Sequence, residues 1–161
     1  MSNKKNLSAE LIIYAVLFFV VIAAAFVIYP MVFQSTTEVR IGAAKFNAKL
    51  ALNDVDRLNG LTGVSELRYD QALLKVYPNL DKWPVIMRDM KMPIDIIWLN
   101  SSKQVVYMVR NAEIPTGTNY KIFNPSKEAK YVIEMPAGSI KARMIVLNSV
   151  AVFVVDESKV E

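Results

Sequence analysis

Between Leu11 and Tyr29 the chain runs nineteen residues without a charge, LIIYAVLFFVVIAAAFVIY. Nothing else in the sequence narrows the available folds so strongly. At about 1.5 Å per residue this run makes a helix about 29 Å long, close to the roughly 30 Å hydrocarbon core of a bilayer. Pro30 follows, and Met31, Val32 and Phe33 extend the apolar stretch to Gln34. Tyr14 and Tyr29 stand near the two ends, where interfacial aromatics gather. The pattern predicts a single N-terminal transmembrane helix over residues 11–33. Lys4 and Lys5 precede it, and the first positive charge after it is Arg40. The positive-inside rule then leaves residues 1–10 in the cytoplasm and exports the remainder. The expected localisation is the cell membrane, as a single-pass signal-anchor protein with an extracytoplasmic C-terminal domain. A cleaved signal peptide with Ala23–Ala25 as its small-residue site is the alternative, giving a secreted form.

The 161 residues include no cysteine and no histidine. Disulfides, thiolate nucleophiles, a lipid-bearing cysteine, Ser-His-Asp triads and most zinc sites are removed at once. The charge, 19 Lys and Arg against 15 Asp and Glu, is too balanced to point to nucleic acid, and no basic stripe with interleaved aromatics is present. The small excess suits an anionic membrane surface. There is no glycine-rich phosphate loop, nucleophile motif or ligand-dense calcium loop, so neither a cofactor nor a metal is expected. Met87, Met90, Met92 and Met108 face both ways and read as core fillers rather than soft-metal ligands.

Beyond the apolar block, residues 34–44 read as a polar linker and first short strand, 45–157 as a β-rich domain, and 158–161 as a tail. Lys45–Leu52 has strand character. Asn53 or Asp54 then caps one or two helical turns, with Val55, Leu58 and Leu61 at helical spacing and Gly60 or Gly63 near the stop. Ala72–Pro78 resumes as a strand, and KWPVIM starts another. The clearest local unit is a hairpin, Ile94–Leu99 and Gln104–Arg110 around the polar loop Asn100–Lys103. Glu113–Ala129 reads as a long surface loop. A strand at KYVIEMP, a turn or helix at AGSIKARM and a strand at VAVFVVD complete the domain. The fold class expected is mainly β (α+β): a compact antiparallel barrel-like or sandwich-like domain with one or two short helices, behind the transmembrane helix.

Four blocks of this domain resemble a known family, the domain of unknown function 192, also called uncharacterised protein family 0127. DRLNGLTGVSEL (Asp56–Leu67) is similar to its Arg-x-x-Gly-Leu stretch, and ALLKVYP to its Met-Leu-Phe-x-Phe strand. VIMRDMKMPIDIIWLN resembles the signature Phe-Trp-Met-Lys-Asn-Thr-x-x-Pro-Leu-Asp-Ile-x-Phe, and KYVIEMPAG the Tyr-Val-Leu-Glu-x-x-Ala-Gly element. The resemblance spans roughly residues 45–155. It implies a compact β-rich fold, commonly exported or membrane-anchored, and no established activity. It places Met87, Arg88, Asp89, Pro93 and Asp95 in the most characteristic strip, and Gly60, Glu134 and Gly138 at other marked positions. Arg88 stands where lysine is usual, Val85 and Ile86 replace an aromatic pair, and Leu147 and Asn148 replace the Gly and Asp of a late turn.

Asp95 is the oddity in that strip. On a strand its face is shared with Ile97 and Leu99, while Ile94, Ile96 and Trp98 take the other. Both faces are apolar, so the strand should be covered on both sides, where an unpartnered carboxylate costs several kcal/mol. It must accept hydrogen bonds, from backbone amides, Arg88 or Lys91. Arg88 presents a planar fork to an external carboxylate or phosphate, or pairs with Asp95 or Glu134 inside the domain. The leading expectation is a membrane-anchored, non-enzymatic binding or accessory domain. Its surface for an unknown small-molecule or protein partner would involve Arg88, Asp89, Asp95 and Glu134, with Gly60, Met87, Pro93 and Gly138 structural. The competing expectations are an envelope-acting enzyme using Asp95 and Glu134 as paired carboxylates, and a structural subunit of a membrane assembly.

Overall fold

A computed structural model describes residues 10–23, 35–115 and 120–161. The chain divides into two units, Met1–Gln34 and Ser35–Glu161. In the first, a helix (α1) occupies residues 10–23. Among the described residues no helix is long and apolar enough to cross a membrane. This corrects the expectation of a transmembrane helix and, with it, the single-pass membrane and signal-anchor readings. The expected continuation over 24–33, most of the Ala23–Ala25 site and the basic residues Lys4 and Lys5 lie outside the described residues.

The second unit is a mainly β half-barrel with a few short helices. Its strands are β1 (Thr36–Ile41), β2 (Ala44–Ala51), β3 (Gln71–Asp81), β4 (Val85–Met87), β5 (Ile94–Leu99), β6 (Val105–Ala112), β7 (Lys121–Phe123), β8 (Ala129–Pro136) and β9 (Ala151–Val152). Seven form one sheet in the order β6-β5-β8-β3-β2-β1-β9, and β4 and β7 form a separate ribbon. The sheet curls until its ends approach: Val105 N–H donates to the Ser149 carbonyl and Asn148 N–H to the Val105 carbonyl, both at 2.9 Å. Pairing is antiparallel except between β2 and β3. Those two are parallel because α2 (Asp54–Asn59) provides the crossover that a parallel pair needs.

Local chemistry accounts for the elements. Asn53 caps α2, its side-chain oxygen accepting from Asp56 N–H, and the helix stops at Gly60. The β5–β6 hairpin turns through Asn100–Lys103, where the Asn100 side chain accepts from Gln104 N–H at 3.0 Å. The long Glu113–Ala129 stretch contains a strand after all: β7 pairs with β4, Ile86 opposite Ile122. Residues 116–119 of that stretch are outside the described residues.

Two apolar clusters lie on the two faces of the sheet. One gathers Phe46, Leu74, Val76, Ile97, Leu99 and Ile133 with Ile140 of α3 (Ser139–Ala142). The other gathers Leu73, Tyr77, Met87, Ile96, Trp98 and Val132. Strand β5 is buried at every residue and contributes alternate side chains to both. That two-sided cover is what the apolar composition of its two faces predicts.

Candidate functional site

Asp95 faces the first cluster and is 1 % exposed. Its two carboxylate oxygens accept backbone amides from distant elements. Asn111 N–H donates to Oδ1 at 2.8 Å, and Ile140 N–H donates to Oδ2 at 2.7 Å. The pairing of β5 with β6 slips between Ile94 and Ile96, and Asn111 in the slipped segment has φ +49°. That bulge releases an amide from the ladder, and the Asp95 carboxylate takes it up. The second oxygen holds the first turn of α3, which follows Gly138 at φ +86°. Asp95 is a buried joint between bulge and helix; neither Arg88 nor Lys91 partners it.

Glu134 projects to the opposite face. The register sets Asp95 against Met135 and Ile96 against Glu134, and adjacent strand residues point to opposite sides. Glu134 is sealed against Lys75 of β3, Oε1 to Nζ 2.5 Å, with the side chains 3 % and 7 % exposed. That oxygen is off the line of a well-aligned hydrogen bond, so the contact is electrostatic first. The paired-carboxylate arrangement is therefore not formed: the two acids lie on different faces, each with its own partner, instead of facing each other over about 5–10 Å.

Asp89 is exposed at φ +51°, a left-handed conformation that aspartate and asparagine tolerate better than most residues. Its carbonyl accepts Gly63 N–H at 3.1 Å, and the Arg88 carbonyl accepts the Thr62 hydroxyl at 3.2 Å. The backbone of the strip thus anchors the turn after α2. Met87 is fully buried, and Pro93 is exposed where the strip turns into β5.

The Arg88 side chain goes elsewhere. It is half-buried and lines a cleft of about 360 Å³ between α2, β3 and β4. A volume of that order suits a small ligand. Its walls are Asp54, Arg57 and Leu58 from α2, Lys75 and Tyr77 from β3, then Trp83, Pro84, Ile86 and Arg88. Arg57 is 5 % exposed and already spent. It donates to the Leu52 and Val76 carbonyls at 2.6 and 2.7 Å, to Asp54 Oδ1 at 2.7 Å, and to the Glu161 carbonyl. Tyr77 and Trp83 stack in parallel, centroids 4.2 Å apart at 8°. Burial pushes the Tyr77 phenol well above its ordinary range, and the Glu134 charge adds to the effect, so it stays a neutral hydroxyl.

Gly60, at φ +53°, lies against the Lys75–Glu134 pair. A Cβ there would stand 3.0 Å from Lys75 Nζ and 3.3 Å from Glu134 Oε2. The marked glycine and the marked glutamate thus meet at one point. Gly63 also has positive φ but open space around it. Gly60→Ala should lower stability by about 2–3 kcal/mol, because its backbone (φ +53°, ψ −126°) favours glycine and its Cβ would crowd the ion pair, and Gly63→Ala by about 1–2, from its positive φ alone. Urea unfolding of both variants measures the difference, and equal losses would mean that neither that backbone nor the ion pair penalises the extra methyl.

Among the sequence-predicted residues, the structure brings Gly60, Met87 and Glu134 together around Lys75, and Arg88 to the wall of the cleft that Lys75 also lines. It separates Asp95 and Asp89 from them. Sequence reasoning missed Arg57, Lys75, Tyr77 and Trp83. Lys75 carried a signal: a lysine inside the apolar strand ALLKVYP needs a partner as surely as Asp95 does.

Comparison with known proteins agrees with the fold. The chain is 34 % identical over 97 residues to a UPF0127 protein of Thermococcus gammatolerans, covering 59 % of this chain and 58 % of that one. It is 34 % identical over 95 residues to a UPF0127 protein of Thermococcus kodakarensis, covering 58 % and 55 %. It thus spans less than two thirds of the length of these relatives. Two solved structures share the fold. One, from Sinorhizobium meliloti and provisionally described as a transcription regulator, has a TM-score of 0.63 at 19 % identity, covering 73 % of this chain and 92 % of its own. The other, a protein of unknown function from Novosphingobium aromaticivorans, has a TM-score of 0.64 at 18 % identity, covering 73 % and 83 %. At these identities the likeness concerns fold alone. The profile of the DUF192 family (Uncharacterized ACR, COG1430) matches residues 36–151, and the chain belongs to that family.

Proposed function

We propose that the domain is a binding module for a small anionic ligand, taken up in the cleft between α2, β3 and β4. The observation that carries this reading is the unspent positive charge on the cleft. The Arg88 guanidinium has no ion-pair or hydrogen-bond partner among the described residues, and Lys75 engages only Glu134. An ammonium has three donors, so Lys75 keeps two for an acceptor arriving from the cleft. Arg88 adds a fork suited to a carboxylate or phosphate. With Arg57 neutralised by Asp54 and Lys75 by Glu134, Arg88 leaves the cleft net positive.

Titration calorimetry with phenylacetate and with its neutral amide tests the charge requirement. The acid should bind at least tenfold more tightly than the amide, and Arg88→Gln should remove most of that preference. Equal affinity for acid and amide, or an Arg88→Gln variant that binds like the parent, would count against an anion site.

A further inference from the structure

We infer that the ligand of this cleft carries its anionic group on a flat, unsaturated ring, which extends the Tyr77–Trp83 stack. This inference rests on the anion-binding reading above and adds the shape of the ligand to its charge. Tyr77 and Trp83 both line the cleft, and their rings are parallel at 8° with 4.2 Å between centroids. Tyr77 is 7 % exposed, whereas Trp83 is half-open. The tryptophan is therefore the outer member of the stack and retains accessible ring surface.

The platform is held before any ligand arrives. Trp83 Nε1 donates to the Asn79 carbonyl at 3.1 Å, and the Trp83 carbonyl accepts the buried Trp98 indole at 2.8 Å. The Arg57 guanidinium sits 5.3 Å from the Tyr77 centroid on the helix side. A preorganised aromatic surface rewards a second π-system with little ordering cost. The remaining walls, Leu58, Pro84 and Ile86, are apolar. Leu58 and Ile86 are 62 % and 41 % exposed, large apolar surface open to solvent at the same cleft. Arg88 supplies the net charge, the Lys75 ammonium further donors and the stack the ring surface, all within one cleft of about 360 Å³. That volume suits one or two fused rings bearing a single acidic group.

Phenylacetate and cyclohexylacetate have the same charge and the same number of heavy atoms, but one ring is flat and aromatic and the other puckered, saturated and somewhat bulkier. Calorimetric titration of the full chain with both is the test, repeated on Trp83→Leu. Phenylacetate should bind roughly three- to tenfold more tightly than cyclohexylacetate, and Trp83→Leu should abolish the difference. If both acids bind equally and more tightly than phenylacetamide, the ring inference is overturned while the anion reading stands. If neither acid binds more tightly than phenylacetamide, both are overturned. If phenylacetate is preferred but Trp83→Leu leaves that preference intact, the stack is not the platform and the inference fails. The fold of the variant is checked independently by the near-ultraviolet signal of the remaining buried Trp98.

Discussion

Asp95→Ala should destabilise the domain by about 3–5 kcal/mol, among the largest effects of any single substitution. The carboxylate is the acceptor for the amides of both Asn111 and Ile140 among the described residues. Each is a charge-assisted bond worth roughly 1.5–3 kcal/mol, and truncation leaves the buried Ile140 N–H without a partner. Against a total stability of about 5–15 kcal/mol, such a loss threatens folding at physiological temperature. Asp95→Asn separates charge from geometry. Its amide has one acceptor oxygen for two donors, so one N–H would confront an NH2 group. It should cost about 2–3 kcal/mol. Denaturant unfolding followed by tryptophan fluorescence reads both values, and amide hydrogen exchange should show faster opening at Asn111 and Ile140. A loss below about 1 kcal/mol for Asp95→Ala would mean that the bulge and α3 hold without the carboxylate.

The two partners of Asp95 explain why only half of its role was legible. A carboxylate on a strand with two apolar faces must find acceptor work, and residue pattern alone establishes that. Which donors it finds depends on a bulge in β6, sixteen residues away, and on a four-residue helix forty-five residues away. A bulge leaves no periodic trace in apolar residues, so Asn111 carries no mark of it in sequence. The β5–β6 hairpin, the Asn53 cap and the strands over Ala44–Ala51 and Ala129–Pro136 were legible because caps, turns and alternation are local. The ribbon of β4 and β7 was not: β7 is three residues long, inside a stretch with two prolines and a glycine.

Hydropathy misled at the N-terminus for a related reason. An uncharged run indicates what a segment tolerates, whereas among the described residues no helix is long and apolar enough to cross a membrane. In the site, the same rule that singled out Asp95 applies to Lys75 and Glu134. Strands β3 and β8 are each apolar runs interrupted by one buried charge, and they are neighbours in the sheet. The opposite signs of those two charges predict their meeting once the strands are known to be adjacent. Adjacency is tertiary information, and it is what the sequence alone withholds.

The ion pair also supplies the sharpest separation of stability from recognition. Lys75→Met leaves Glu134 buried with no opposite charge, and Glu134→Leu strands Lys75 in the same way. Each single variant should lose about 3–5 kcal/mol. The double variant Lys75→Met/Glu134→Leu removes both charges and fills the space with apolar groups of similar volume, in a face already lined by Leu73, Ile96 and Val132. It should unfold within about 1 kcal/mol of the parent, or be the more stable of the two, because the desolvation of both ions is relieved. The coupling measured by the cycle should then exceed about 3 kcal/mol. If the pair exists only to hold β3 beside β8, the double variant should bind phenylacetate as the parent does. If Lys75 offers its remaining donors to the ligand, the double variant folds as well as the parent and yet binds at least tenfold more weakly. A well-folded double variant that keeps full affinity would reduce Lys75 to a structural cation and leave Arg88 to carry the anion alone.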